Sequence, residues 1–169
     1  MKLIGEYNKR IKSDKDIGNF LELLYDKTIE YKNPNILELG TWIGSSTITF
    51  LRAIDEVGGK LLSVDNRKYK IMDELKNNNV EFIIQDSKNF KNNDKFDIIL
   101  IDTIHTYNQV KEECNMIKSL IKTGTKIFFH DTIFKPEIIP AIIEFTNSIK
   151  CNIKKYIENK GLWEVTILK

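Results

Sequence analysis

The chain has 169 residues, 41% of them hydrophobic and 30% charged, with a formal net charge of +2. A single domain of this size buries roughly 70% of the surface its unfolded form exposes, so it needs neither disulfides nor a structural metal to fold. The lysines are interleaved with acids rather than clustered, which gives nucleic acid little support as a partner, and no stretch approaches the ~20 apolar residues of a membrane span.

Cys114 and Cys151 lack C-x-x-C spacing, and Met1 to Tyr7 holds no apolar run of targeting length. Two small core cysteines and a cytoplasmic location are expected.

In chain order, Ser13-Asp14-Lys15-Asp16 reads as a helix start, with Ile17, Phe20, Leu21 and Leu24 on one face before the Asn33-Pro34-Asn35 breaker. Residues 1–35 then form a lead-in helical segment. Ile36 to Leu39 is a buried strand that breaks at Gly40 into a tight turn. A helix opens just past Gly44, with Ser45 or Ser46 placed to cap it, and runs to Val57 before Gly58-Gly59. Leu61 to Asp65 is a second strand, Tyr69 to Leu75 a helix, and Val80 to Asp86 a third strand.

Phe96 to Asp102 is a continuous apolar run ending on an acid, as in a parallel strand covered on both faces. A helix carrying Val110, Cys114, Ile117 and Ile121 follows, then a fifth strand from Lys126 to Asp131. A helix across Pro140 to Ser148 leads to two last strands, Cys151 to Ile157 and Leu162 to Leu168, joined at Asn159-Lys160-Gly161. The expected fold is α/β: a doubly wound, mostly parallel sheet of about seven strands with a C-terminal antiparallel hairpin, its core spanning residues 36–169 of one domain.

Ligands of such sheets gather outside the carboxyl ends of the strands, where Asp65, Asp86, Asp102 and Asp131 fall. A dinucleotide fingerprint needs a middle glycine to admit a pyrophosphate, and Trp42 stands there instead. An adenosine ligand without phosphate needs no such glycine, while its ribose still calls for the Asp65 carboxylate. S-adenosylmethionine meets both conditions, and its sulfonium gains from a rim of carboxylates.

On Glu38-Leu39-Gly40-Thr41-Trp42-Ile43-Gly44-Ser45-Ser46, Ser63-Val64-Asp65, Gln85-Asp86-Ser87 and Phe96 to Asp102, the chain resembles the class I S-adenosylmethionine-dependent methyltransferases, which share a Rossmann-like fold. Asp102-Thr103-Ile104-His105-Thr106-Tyr107 together with Phe128-Phe129-His130-Asp131-Thr132 looks like a group of small-molecule and sugar O-methyltransferases. The resemblance implies that Gly40, Thr41, Gly44 and Ser45 hold the methionine portion of S-adenosyl-L-methionine. It places the ribose on Asp65 and the adenine edge on Asp86 with Ser87. Glu38 would steady the glycine loop or the ligand's amino group.

An oxygen acceptor has a proton to lose, which His105 could take as general base; the alternative is that His105 caps the following helix. Asp102 and Asp131 end neighbouring strands, so both could reach Mg²⁺ or another divalent metal. Related catechol-type enzymes carry a second carboxylate or amide after the fifth-strand aspartate, and Thr132 occupies that position here. Without metal, Asp102 holds the methionine end or the acceptor.

The expected activity is O-methylation of a hydroxyl on a small molecule or glycan. With no long insertion, the acceptor site is either open to a large substrate or covered by a homo-oligomeric partner. The rivals are methylation of nucleic acid or protein, disfavoured by Asp102-Thr103-Ile104-His105 where base methyltransferases carry Pro-Pro and an aromatic residue; a non-catalytic S-adenosylmethionine-binding module; and a nicotinamide-dependent dehydrogenase, disfavoured by Trp42.

Overall fold

The computed structural model describes residues 2–169; Met1, the first residue of the stretch read for a leader, lies outside them. The elements are α1 (Lys2–Ser13), α2 (Leu21–Ile29), β1 (Asn35–Leu39), α3 (Ser45–Val57), β2 (Lys60–Asp65), α4 (Lys70–Leu75), β3 (Val80–Ile84), β4 (Ile98–Ile101), α5 (Tyr107–Ile117), β5 (Lys126–His130), α6 (Ile139–Asn147), β6 (Cys151–Tyr156) and β7 (Leu162–Ile167). Among the described residues no helix is long and apolar enough to cross a membrane.

The strands form one sheet of seven in the order β3-β2-β1-β4-β5-β7-β6. The first five are parallel, and β7 runs antiparallel to both β5 and β6. The order reverses between β1 and β4, which opens a crevice at their carboxyl ends. Every residue of β4 is buried, as its unbroken apolar run requires of a strand covered on both faces. Each such side chain contributes about 1.5–3 kcal/mol by leaving water.

One face packs Val110, Cys114 and Ile117 of α5 and Ala141, Ile142 and Phe145 of α6 against Leu37, Ile99 and Ile127. The other packs Leu21 and Leu24 of α2 with Phe50, Leu51 and Ile54 of α3 against Ile36, Ile98 and Phe128. The doubly wound architecture read from the sequence is the one observed.

Register places the site. Leu39 stands opposite Val64 and Ile101, and Ile101 opposite Phe129. The next residue along each strand falls in one row: Gly40, Asp65, Asp102 and His130. Side chains of parallel strands in one row share a face, so the row brings its carboxylates and imidazole to one rim.

Four local expectations are corrected. Ser13 ends a helix rather than starting one, because Leu3, Tyr7 and Ile11 recur every four residues and pack, partly buried, beside the α2–α3 face. Asp14 Oδ1 then accepts from the Asp16 backbone N–H at 2.8 Å, turning the chain between α1 and the Gly18–Phe20 turn that leads into α2.

Neither Ser45 nor Ser46 caps α3. Gly44, at φ 78°, is the cap residue, and both serines lie inside the helix. The third strand stops at Ile84, and Asp86 caps the short Ser87–Asn89 turn by accepting from the Lys88 N–H. Finally, α5 ends at Ile117, leaving Ile121 beyond the helix but still against the same core. Both cysteines are free, Cys114 buried and Cys151 partly so.

Candidate functional site

A cavity of about 320 Å³ opens at the carboxyl ends of β1, β2 and β4, and Gly40, Thr41, Ser45, Asp65, Asp102 and Asp131 line it. Asp86, Ser87 and His105, also expected there, line it too. The chain turns under the cavity at Gly40, whose φ of 97° only glycine adopts without strain. Trp42 follows in the same turn at φ 41° and is half exposed over the cavity mouth.

Asp65 closes this turn. Its Oδ2 accepts from the backbone N–H groups of Thr41 at 2.8 Å and Trp42 at 3.2 Å, and its Oδ1 from that of Arg67 at 3.0 Å. The carboxylate expected to read a ribose is thus held by three backbone donors at the cavity edge.

Glu38 and Gly44 sit behind the wall rather than on it. Glu38 is fully buried, and its Oε2 accepts from Ser63 Oγ and from Thr47 Oγ1 at 2.7 Å, while Oε1 has no hydrogen-bond partner among the described residues. Burial raises its pKa to about 7 against the pull of the Ser46, Ser63 and Thr47 hydroxyls. Its partner Ser63 Oγ lies 2.7 Å from Thr41 Oγ1 of the Gly40 turn. A side chain at Gly44 would meet Ile71 Cγ1 at 2.8 Å, so its smallness serves packing against α4.

The other end of the cavity is charged. His130, fully buried, places Nδ1 3.0 Å from Asp102 Oδ1 and 3.5 Å from Asp131 Oδ1. His105 lies between the same acids, Nε2 3.3 Å from Asp102 Oδ1 and Nδ1 3.4 Å from Asp131 Oδ2. The helix-cap alternative for His105 does not hold, since the Thr106 side chain caps α5 by accepting from the Gln109 N–H. Asp131 adopts φ 62°, a left-handed turn that aspartate tolerates.

Burial works against the charged forms of Asp102, His130 and Asp131, and the opposite charges around them answer it. For Asp102 the charge of His130, joined by His105, prevails and holds the carboxyl well below the usual range. For His130 the Asp102 carboxylate likewise overcomes burial and raises the ring's pKa. For Asp131 burial prevails and the pKa rises.

Several cavity residues were not read from the sequence. Asp14, Asp16 and Ile17 reach the cavity from the lead-in segment, and Asp14 accepts from Ser45 Oγ at 2.5 Å. The hairpin loop holds this segment in place, because Asn159 Nδ2 donates to the Asp16 carbonyl at 2.8 Å and Lys160 Nζ pairs with Asp16 Oδ1 at 2.7 Å. Glu113 was also missed. It sits on the buried stripe of α5 with Val110, Cys114 and Ile117, and an acid on an apolar stripe is a signal the sequence does carry.

The donors can be tested against the metal expected from the sequence. Asp102, His105 and His130 present ligand atoms within 4.8 Å of one another, as do Asp16, His130 and Asp131. Magnesium takes nearly all-oxygen coordination, and here two imidazoles crowd the carboxylates while Thr132 supplies a buried hydroxyl instead of a second acid. The set does not fit magnesium and better suits a borderline ion that accepts nitrogen.

Sheet order, switch-point cavity and terminal hairpin together define a Rossmann-like methyltransferase fold. The chain belongs to the family described as methyltransferase domain, whose model matches residues 37–132, and the resemblance to class I S-adenosylmethionine-dependent methyltransferases stands. No curated protein matches the sequence.

Among solved structures, a methyltransferase of Podospora anserina bound to SAH is similar over 99% of this chain and 88% of its own, with 11% identity and a TM-score of 0.73. The O-methyltransferase TomG of Streptomyces achromogenes, in complex with SAM, is similar over 90% and 81%, at 14% identity and 0.65. The N-methyltransferase NodS of Bradyrhizobium japonicum is similar over 89% and 96%, at 14% identity and 0.68. Their identities support a shared fold, and since the set includes both O- and N-methyltransferases, the acceptor atom must be argued from the site.

Proposed function

We propose that this protein transfers a methyl group from S-adenosyl-L-methionine to a hydroxyl of a small molecule or sugar. The observation that carries this reading is the placement of His105 between Asp102 and Asp131, on the wall of the same cavity that the Gly40 turn and Asp65 enclose. An acceptor hydroxyl needs a base beside the methyl donor, and this is where the chain supplies one.

When bound, S-adenosylmethionine supplies a methyl carbon on a cationic sulfur and leaves as a neutral thioether. Gly40 and Thr41 line the methionine end, Asp65 faces the ribose, and Asp86 with Ser87 face the adenine. Asp102 and Asp131 stabilise positive charge near the sulfonium. His105 takes the acceptor's hydroxyl proton on a ring nitrogen as the oxygen lone pair bonds to the methyl carbon and the carbon–sulfur electrons return to sulfur.

Asp102 then faces an imidazolium, and His130, bonded to the same carboxylate, keeps Asp102 ionised for that role. No step depends on a metal. A borderline divalent ion would be held by Asp102 and Asp131 with His105 or His130, as an electrophile beside the acceptor oxygen.

The test is incubation of the purified protein with S-adenosylmethionine and a panel of hydroxylated, amino and thiol acceptors, with S-adenosylhomocysteine and methylated product measured. Methylation of hydroxyl acceptors above the others supports the reading. Binding without turnover on any acceptor would leave a non-catalytic module.

A further inference from the structure

Ser87, Thr103 and Gln109 reach the cavity from the turn after β3, the loop after β4 and the helix α5. Behind all three lies Glu113, a fully buried carboxylate that methyl transfer itself does not use. Its Oε1 accepts from Ser87 Oγ, from Thr103 Oγ1 at 2.8 Å and from Gln109 Nε2 at 3.0 Å, and its Oε2 lies 3.0 Å from the same Thr103 hydroxyl. Gln109 Nε2 also lies 3.0 Å from Ser87 Oγ and 3.3 Å from Asp86 Oδ1.

The protons in this cluster can be counted. A serine or threonine hydroxyl has one hydrogen, and Glu113 draws both hydroxyl hydrogens toward itself. Ser87 Oγ, having given its hydrogen away, can only accept from Gln109. Two of the three partners of the Gln109 amide are carboxylate oxygens, which only accept, so the end facing them is the NH₂. Its Oε1 is the end left to meet a ligand. Thr103 Oγ1 and Asp86 likewise have only lone pairs to offer.

We propose that Glu113 sets the hydrogen-bond polarity of this wall, so that its side chains offer a ligand acceptors and no donors and thereby select a 6-aminopurine over a 6-oxopurine. The inference rests on the adenosyl reading above, and it makes Glu113 a positioning residue for specificity. An exocyclic amino group brings two N–H donors to such a wall. A 6-oxo group brings a lone pair against lone pairs and leaves the buried acceptors unpaired, the type of mismatch that discriminates most strongly between isosteric ligands.

The experiment is calorimetric measurement of the dissociation constants of S-adenosylhomocysteine and its deaminated analogue, S-inosylhomocysteine, on wild type and Glu113→Gln. Wild type is expected to favour the adenosyl ligand by at least about thirtyfold. The amide of the variant carries an NH₂ that must donate to Ser87 or Thr103, turning that hydroxyl's hydrogen toward the cavity. The adenosyl ligand then weakens while the inosyl ligand strengthens, narrowing the ratio by at least about tenfold.

Loss of the two affinities in equal proportion would mark Glu113 as merely structural and overturn the proposal. Should Glu113→Gln not fold, Gln109→Leu removes the Oε1 acceptor and is expected to weaken the adenosyl ligand alone; an unchanged ratio there also overturns it. Wild-type protein that binds neither ligand would defeat the adenosyl reading and this inference with it. Tight adenosyl binding with an unchanged variant ratio would defeat this inference alone.

Discussion

A side chain at Gly40 would place its first carbon 2.0 Å from the backbone carbonyl oxygen of Asp102. The turn that ends β1 and the acid that ends β4 are therefore in backbone contact, and the floor of the cavity exists only because position 40 has no side chain. The glycine is required by the neighbouring strand as much as by any ligand.

Gly40→Ala is accordingly expected to cost about 3 kcal/mol or more, from the strained φ together with the clash, and to lower the thermal midpoint by roughly 10 °C. Gly124→Ala is the control. Gly124 also has a positive φ, 88°, but nothing lies within 4 Å of an added carbon, so its loss should stay near 1 kcal/mol. Equal midpoints for the two variants would show that the contact with Asp102 has no energetic weight.

His105 stands between two carboxylates on the cavity wall. If it is the base, His105→Ala should lower turnover on a hydroxyl acceptor at least tenfold, about 1.4 kcal/mol in the barrier. Turnover within a few-fold of wild type would assign proton removal to solvent or to another group.

The pairing of His130 with Asp102 has a pH signature. His130 has a raised pKa, so its contribution is complete below the unfolded value of about 6.5 and is lost as pH rises through the folded value. Asp102 has a lowered pKa, so its contribution is complete above about 3.9 and is lost as pH falls through the folded value. Stability from the pair is greatest between those limits. Denaturant titrations from pH 4 to 9 should show His130→Asn most destabilised near pH 5 to 6 and closest to wild type at pH 9.

Glu38 contributes with the same sign on the alkaline side. Its raised pKa means stability present below the ordinary value of 4.5 and lost as pH rises through about 7. Glu38→Gln keeps an acceptor for Ser63 and Thr47 without the buried charge. It should therefore gain on wild type as pH increases, by on the order of 1–3 kcal/mol at pH 8.5 relative to pH 5. A constant difference between the two proteins across that range would place the charge of Glu38 elsewhere than in the buried pocket.

Much of this architecture was legible because buried parallel strands leave a coarse imprint. The run Phe96 to Ile101 is apolar at nearly every position, since both faces are covered, and a terminal Asp102 marks where the strand meets water. Gly40 and Gly58-Gly59 announced their turns through the backbone angles they alone tolerate. The α1 helix escaped because its stripe, Leu3, Tyr7 and Ile11, is only partly buried and looks like a solvated surface.

What the sequence determined by itself was the order of strands and helices from β1 onward and the fact that four acids lie at or just past the carboxyl ends of strands, because period, punctuation and local backbone preference are properties of neighbours along the chain. The tertiary structure decided the rest. Parallel register set His130 beside Asp102, the left-handed turn at Asp131 brought a second carboxylate to His105, and the folding back of the lead-in segment carried Asp14 and Asp16 to the cavity. Glu113 met Ser87 and Thr103 only through the packing of α5 against the sheet. Contacts between residues far apart in sequence depend on how sheet and helices stack, and that is settled by the whole core at once rather than by any one segment.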